Sequence, residues 1–456
     1  MNEEYSKNSF NDNEEEEEYM SANEEKEEYM SANEEFSRDN NGYQPLDELL
    51  QGLDYIAIGG KFEMDPNKLT IIKAVGKGHF SDVHIGILSL STKNITVAVK
   101  SVKTSQMKKE STNTMESEQS CKHQRKALRN ELKIFTHLQS SSAGGHENVL
   151  KLLGAITTIR TDFSLLTEYC ENGSMDCFLQ EKKKNGDFED ELVFEGYVNK
   201  QVWKIQRDSK WGEDFRSRRD NGVITTSDLL WFALQIARAL QFLATMNVLH
   251  RDIAVRNVLL KLDFTVKVSD FGLSRKLREC NDAYFIKNNE TALPIRYIAP
   301  ESLVSGHFAI TSELWSFGVV VWELFTFAEK KPYFVEFEND ENSTHLHKFL
   351  IEHLSSGHRL SIPNIVPQQI KSLFSRLWHS DPKRRPSFQE CKKVIGQELM
   401  QSCPYGGYQK EDAAEVGTSL DILTTTAELL PDQQIRNETS ALAVLARASA
   451  SLSMCV

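Results

Sequence analysis

Asp252 and Asn257 stand five residues apart in His250-Arg251-Asp252-Ile253-Ala254-Val255-Arg256-Asn257, and Asp270 follows in Asp270-Phe271-Gly272. A carboxylate can accept or orient the proton of an attacking hydroxyl. A second carboxylate and an amide oxygen are hard ligands of the kind Mg²⁺ takes while it bridges phosphate oxygens, and Mn²⁺ accepts the same donors. The octapeptide alone also fits an ordinary charged surface loop. The sharper reading needs further parts in order along the chain, and they are present. In Gly76-Lys77-Gly78-His79-Phe80-Ser81-Asp82-Val83, Gly76 and Gly78 at a strand turn let backbone amides close over phosphates, with Phe80 and Val83 as cover. Val97-Ala98-Val99-Lys100 ends an apolar strand in a lysine, which is costly in a core unless paired. Glu131, on the next helical stretch, is the natural partner, and the pair would hold Lys100 towards α- and β-phosphates. Beyond Asp270, a buried Glu301–Arg385 pair would brace the loop that ends at Ala299-Pro300-Glu301.

Elements that could position these groups follow from the pattern. Thr70–Val75 and Ile95–Val99 are rich in β-branched residues and read as strands, as do 150–156 and 164–167. Residues 122–139 carry a helical repeat in Ala127, Leu128, Leu132, Ile134 and Phe135. A long apolar helix is expected over 229–248, and 309–400 should be mostly helical. The fold class is therefore α+β: a small antiparallel-sheet lobe with one key helix, then a larger helical lobe. The expected division is an acidic segment 1–65, a catalytic domain 66–400 and a C-terminal tail 401–456. Residues 181–225 are highly charged with little apolar periodicity and read as a mobile insert.

The net charge of −13 over 456 residues is concentrated at one end. Residues 1–40 hold 15 acidic and 3 basic side chains, a net of −12, so the rest is nearly neutral and lacks the basic face of a nucleic-acid binder. That acidic stretch has too few apolar residues to fold. It repeats Glu-Glu-Tyr-Met-Ser-Ala-Asn-Glu-Glu at 17–25 and 27–35. The repeat reads either as a duplicated solvated tail or as two acid-flanked phosphorylation sites, Tyr19 and Tyr29. Seven scattered cysteines, with no CxxC pair, suit a reducing cytoplasmic setting. The acidic start carries no secretory signal, and no run of about 20 apolar residues predicts a membrane span.

The ordered series from about 69 to 398 resembles the protein-kinase domain. Ala254 and Arg256, in place of a lysine two residues after Asp252, resemble the tyrosine-kinase group. So do Leu293-Pro294-Ile295-Arg296-Tyr297 and Leu314-Trp315-Ser316-Phe317-Gly318. The insert at 181–225 is similar to that of the split kinase domains of growth-factor receptors. The resemblance implies transfer of the γ-phosphate of Mg·ATP to exposed tyrosines of proteins. It implies catalytic roles for Asp252, Lys100, Glu131, Arg256 and Asn257, and metal binding by Asn257 and Asp270. ATP would contact Val75, Gly76, Gly78, Val83, Ala98, Lys100, Leu259 and Asp270, with Thr167 as gatekeeper and Glu168-Tyr169-Cys170 as hinge.

Regulation is expected through phosphorylated Tyr284, met by Arg251 and Arg275, with transient self-association for reaction in trans. Tyr197-Val198-Asn199 matches a motif that adaptor SH2 domains read once the tyrosine is phosphorylated. Three departures stand out: Ser81 replaces a glycine, Tyr297 a tryptophan, and Glu313 an aspartate that bonds the catalytic-loop backbone. The extra methylene of Glu313 is expected to shift that contact and lower activity. A non-catalytic scaffold and a serine/threonine or dual-specificity kinase are the competing classes.

Overall fold

The computed structural model describes residues 61–77, 81–102, 114–140, 144–157, 163–196, 200–277, 283–285, 293–334 and 343–402. The compact unit that carries the candidate site begins at Phe62. Its smaller lobe is a five-stranded antiparallel sheet ordered β1-β2-β3-β5-β4. The strands are β1 (Leu69–Lys77), β2 (Asp82–Ser89), β3 (Asn94–Ser101), β4 (Leu152–Ile156) and β5 (Ser164–Glu168). The period of two separates the faces of β3. Val97 and Val99 point into a cluster with Leu88, Ile156 and Leu166. Ala98 and Lys100 share the other face, opposite Val83 on β2 and Thr167 on β5, because Val83 pairs with Lys100 and Thr167 with Ala98. At the edge, the Met64 amide donates to the Ala155 carbonyl and the Ala155 amide to the Phe62 carbonyl, at 2.8 and 2.7 Å. Gly154 permits this approach, since a Cβ there would lie 2.8 Å from the Met64 methyl.

Helix α1 (Thr114–Leu138) crosses behind the sheet and buries Leu128, Leu132, Phe135 and Leu138. The larger lobe contains α2 (Met175–Asn185), α5 (Thr226–Thr245), α6 (Pro300–Ser305), α7 (Ile310–Phe325), α8 (Ser343–Ser355), α9 (Gln368–Leu377) and α10 (Phe388–Ser402). Helix α5 is apolar nearly all round, which suits the buried centre of a helical lobe. Its Thr225–Asp228 capping box fixes where it begins. Two short antiparallel pairs carry the loops of interest: β10 (Val248–Leu249) with β13 (Arg275–Lys276), and β11 (Val258–Leu260) with β12 (Val266–Val268). The two-lobed α+β fold is the one expected from sequence.

The charged stretch read as a mobile insert instead carries defined elements. Between α2 and α5 lie β6 (Phe188–Glu189), β7 (Leu192–Glu195), β8 (Lys200–Trp203), α3 (Ser209–Glu213), α4 (Phe215–Asp220) and β9 (Ile224–Thr225). The anchors are a few buried polar groups, which a periodicity search does not weigh. The Trp203 indole, 3% exposed, donates to Glu398 Oε1 on α10 at 3.0 Å. Glu191 is 2% exposed and accepts the Ser227 amide at 2.7 Å, at the start of α5. Its other oxygen accepts the Trp211 indole at 3.3 Å. Among the described residues, no helix is long and apolar enough to cross a membrane.

Candidate active site

Lys100 is the meeting point of three elements. From β3 its ammonium donates to Glu131 Oε2 on α1 at 2.8 Å and to Asp270 Oδ1 at 2.9 Å. Burial alone would lower the Lys100 pKa, but the two carboxylates, Asp270 and then Glu131, outweigh it and raise it. Burial pushes the Asp270 carboxyl up, and Lys100 overcomes this to hold it below the usual aspartate value. A neighbour of Glu131 that sequence reasoning missed closes the arrangement. Asn130 donates its amide to the carbonyls of Gly272 and Ser274 at 3.1 and 3.0 Å, tying α1 to the turn Phe271–Leu273. Phe271 is fully buried, with ring centroids 5.1 Å from Phe135 and from His250.

The loop between β10 and β11 presents the second group of residues. Arg251 adopts a positive φ of 68° and Asp270 one of 62°, a costly backbone state for non-glycine residues that the surroundings must hold. Glu313, buried on α7, supplies that hold: its Oε1 accepts the His250 and Arg251 amides at 2.6 and 2.8 Å. The longer side chain reaches both amides, so the contact that was expected to shift is made. Burial pushes Glu313 up to about 7, while the Arg251 and His250 amides pull the other way. Asp252 is ion-paired with Arg256. The Asn257 amide nitrogen donates to the Asp252 carbonyl at 2.7 Å, which fixes its amide oxygen as the remaining acceptor.

A second hub lies beneath this loop. The Arg256 guanidinium sits 5.0 Å from the centre of the Tyr297 ring. The Tyr297 hydroxyl donates to Glu323 Oε1 at 2.6 Å, and Glu323 Oε2 accepts the Val255 amide at 3.2 Å. Burial pushes Glu323 up to about 7. Sequence reasoning missed this role. The available signal was an acid inside the apolar run 317–327, which must be partnered when buried.

The nucleotide-facing candidates share one region. Val75 and Gly76 lie where β1 shifts register, and Gly76 pairs with Val83. Val83, Ala98, Lys100 and Thr167 share the sheet face already described. Leu259, on β11, bridges to Ser174 at the start of α2. The Glu168 side chain is taken up by Lys267 at 2.9 Å, Lys261 at 3.4 Å and the Lys151 amide at 2.9 Å, so only its backbone is left for a ligand. Cys170 is buried, and burial, then Glu168, push its thiol up to about 12, so it stays protonated. Gly78 lies outside the described residues.

Arg385 and Glu301 form the expected brace, bidentate at 2.6 and 2.8 Å. Tyr284 is on β14 (Ala283–Phe285), opposite Phe308 of β15 (His307–Ala309). The Arg251 guanidinium lies 4.9 Å from the centre of the Phe308 ring and donates to the Leu273 carbonyl at 3.3 Å. The register therefore brings the Tyr284 backbone to the residue that covers Arg251. Arg275 donates to the Ser274 carbonyl at 2.8 Å. Tyr197 lies outside the described residues, in the connection between β7 and β8.

Comparison with known proteins agrees with this geometry. The family profile for protein tyrosine and serine/threonine kinases matches residues 69–395. Vascular endothelial growth factor receptor 1 of Rattus norvegicus is 30% identical over 391 residues, covering 78% of this chain and 27% of the receptor. Receptor-like tyrosine-protein kinase kin-15 of Caenorhabditis elegans is 31% identical over 364 residues, covering 78% of this chain and 69% of the relative. Macrophage colony-stimulating factor 1 receptor 2 of Takifugu rubripes is 30% identical over 394 residues, covering 80% of this chain and 34% of the receptor. The chain thus spans about a quarter to a third of the length of those two receptors. With more than two thirds of its length matched and the ordered motifs in place, the chain belongs to the protein tyrosine and serine/threonine kinase family and is similar to its receptor-type tyrosine kinases.

Proposed function

We propose that the chain transfers the γ-phosphoryl group of ATP to tyrosine hydroxyls of proteins and acts in intracellular signalling. The observation that carries this reading is the Lys100 ammonium, shared between Glu131 and Asp270. It links the helix and the metal-facing turn on which phosphoryl transfer depends. The donor set fits a hard divalent cation: the carboxylate of Asp270 and the amide oxygen of Asn257 are both oxygen ligands. Mg²⁺, or Mn²⁺ in its place, would neutralise charge on the β- and γ-phosphates when bound.

The chain's own residues do the rest by position and charge. Lys100 holds the α- and β-phosphates, and Gly76 and Gly78 let the loop backbone approach them. Val75, Val83 and Ala98 cover the adenine from above and Leu259 from below, with Thr167 at the back and the backbone of Glu168 and Cys170 at its edge. Asp252 orients the phenol and accepts its proton, while Arg256 offsets the charge that gathers beside it. The phosphoryl group passes to the phenol oxygen, and the bond to the β-phosphate oxygen breaks.

Tyr284 is the proposed switch. Phosphorylated in trans by a second copy, it would bring an anion towards Arg251 and Arg275, and the pairing of its backbone with Phe308 supports this. Phosphorylated Tyr197 is proposed to recruit an SH2 adaptor. We place the domain in the cytoplasm, a setting compatible with the buried, reduced thiols of Cys170 and Cys391. The test is autophosphorylation of the purified chain with Mg·ATP beside Asp252→Asn, the sites mapped by mass spectrometry. Phosphotyrosine present in the parent and missing from the variant is the expected result. No incorporation at high protein concentration would move the assignment to a non-catalytic scaffold.

A further inference from the structure

The chain from Phe327 to Tyr333, which follows α7, runs through a costly backbone. Phe327, Ala328 and Tyr333 have φ of 56°, 50° and 57°, three of the seven non-glycine residues with positive φ among the described residues. Such residues persist only where their surroundings over-determine them. For Phe327 and Ala328 those surroundings lie at the entrance to the insert. The Phe327 ring is buried, and the half-buried Phe188 ring of β6 stands edge-on to it, with centroids 4.8 Å apart and planes at 75°. The Lys183 ammonium, from the last turn of α2, lies 4.9 Å from the centre of the Phe327 ring. The Ala328 carbonyl accepts the Gln180 side-chain amide at 2.7 Å.

The chain before and after Phe188 fixes its place. Gly186, at φ 74°, ends α2, and the Asp187 amide returns to the Lys182 carbonyl at 2.9 Å. Strand β6 then pairs in parallel with β9, Phe188 opposite Ile224, and β9 leads into α5. The two ends of the insert are thus joined where Phe188 meets Phe327. From Phe327–Tyr333, two bonds run on towards the candidate site. The Ala328 amide donates to the Glu323 carbonyl at 2.9 Å, and the Glu323 carboxylate holds the Tyr297 hydroxyl and the Val255 amide. The Pro332 carbonyl accepts the Arg296 guanidinium at 2.7 Å. Arg296 and Tyr297 belong to one turn, Ile295–Tyr297, directly after Pro294.

We propose that Phe188 is a positioning residue for the turn Ile295–Tyr297, so that the docked insert sets how a protein substrate binds there. The inference rests on the tyrosine-kinase reading and deepens it, because the insert becomes part of the acceptor side of the site. The route runs from the Phe188 ring to Phe327, along the strained backbone to Pro332, and from its carbonyl to Arg296. Without the ring, Phe327 loses one of the holds that keep it in the left-handed region, and the chain that carries the Pro332 carbonyl relaxes. The groups assigned to ATP sit on other elements, chiefly β1, β2, β3, β5 and β11. The effect therefore falls on the peptide and spares the nucleotide. A misplacement of about 1 Å caused far from the chemistry can cost up to about a hundredfold, and truncating one ring at the end of this route should cost about tenfold.

The test is steady-state phosphorylation of a tyrosine peptide by the full chain, Phe188→Ala beside the parent, at a temperature where thermal unfolding shows both folded. The expected result is a peptide KM raised about tenfold, with kcat and the KM for ATP close to those of the parent. Phe188→Tyr keeps the ring and should restore the peptide KM. Phe194, exposed on β7, is the control within the insert, and Phe194→Ala should leave all three constants unchanged. Should Phe188→Ala fail to fold, Gln180→Ala removes a hold on Ala328 from an exposed position and should raise the peptide KM severalfold. A peptide KM equal to the parent's in the variant that folds overturns the inference and leaves the kinase reading standing. So does a fall in kcat with both KM values unchanged, the mark of a smaller folded fraction. If the parent itself transfers no phosphate to tyrosine, the kinase reading fails and this inference falls with it.

Discussion

The Tyr297 hydroxyl and Glu323 Oε1 are 2.6 Å apart, and the same carboxylate receives the Val255 amide through its other oxygen. One buried acid therefore fixes both the turn Ile295–Tyr297 and the loop that carries Asp252. Tyr297→Phe removes the first of these bonds and keeps the ring under Arg256. A hydrogen bond to a charged acceptor is worth roughly 1.5–3 kcal/mol, and each 1.4 kcal/mol is a factor of ten in rate. The expected outcome is a kcat lowered about tenfold with an unchanged KM for ATP, measured by steady-state phosphorylation of a tyrosine peptide. An unchanged kcat would show that the bond only adds stability.

Replacing Lys100 by methionine separates binding from turnover. Glu131 and Asp270 lose the cation they share, and the phosphates lose their anchor. Turnover is expected to fall at least about a hundredfold, the scale of losing one preorganised charge in a closed site. ATP affinity, read by displacement of a fluorescent nucleotide, is expected to fall by less, because the adenine contacts remain. Full turnover in this variant would remove Lys100 from the mechanism.

The two acids on α7 make stability depend on pH. Burial holds Glu313 at about 7 against an ordinary 4.5, so the folded chain keeps a proton that the unfolded chain releases. Its stabilising contribution is complete below about pH 4.5 and is lost as pH rises through about 7, with a slope of at most ~1.4 kcal/mol per pH unit. Glu323 behaves in the same way. His137, His146 and His250, whose pKa values burial lowers, pull oppositely, since stability rises as the unfolded histidines lose their protons. The useful readout is therefore a difference. Urea unfolding of the parent and of Glu313→Gln should show the variant gaining relative stability from pH 5 to pH 8. A constant difference would mean that Glu313 titrates normally.

Arg385 has a fully buried side chain, and besides Glu301 it donates to the carbonyls of Thr311 and His379 at 2.8 and 3.1 Å. Arg385→Ala leaves four acceptors without their donors. Removing one partner of a buried ion pair costs roughly 3–5 kcal/mol, and a lysine cannot reproduce the fork. Thermal unfolding should show a large drop in Tm for alanine and a smaller one for lysine. A drop of only a degree or two would mean that water replaces the guanidinium.

Trp203→Phe tests the docked insert. The aromatic volume stays, and Glu398 loses its indole donor. An unsatisfied buried acceptor costs about 1–3 kcal/mol. Limited proteolysis should cut first between 187 and 225 in the variant and elsewhere in the parent. Identical cleavage patterns would show that the indole bond does not hold the insert down.

The ion pairs of the candidate site were legible because they join residue types that burial makes costly. A lysine ending an apolar strand had to find an acid, and Glu131 and Asp270 both answer. The same logic located Glu301 and Arg385. Asn130 was invisible because an amide on a helix has no distinctive pattern, and its partners are carbonyls 141–144 residues away. The anchoring of the insert was hidden for a related reason. Its polar anchors are Trp203, Trp211 and Glu191, and none belongs to an apolar repeat. For Glu313 the sequence showed the longer side chain but not how far α7 places it from the amides of His250 and Arg251.

The docked insert also has a consequence for how this chain can change over evolutionary time. Glu398 and Ser227 lie outside the insert, yet each is satisfied from within it, by Trp203 and Glu191. A descendant that shortens this segment would inherit a buried carboxylate without a donor and a helix start without its acceptor. Loss of length here should therefore travel with substitutions at 398 and 227.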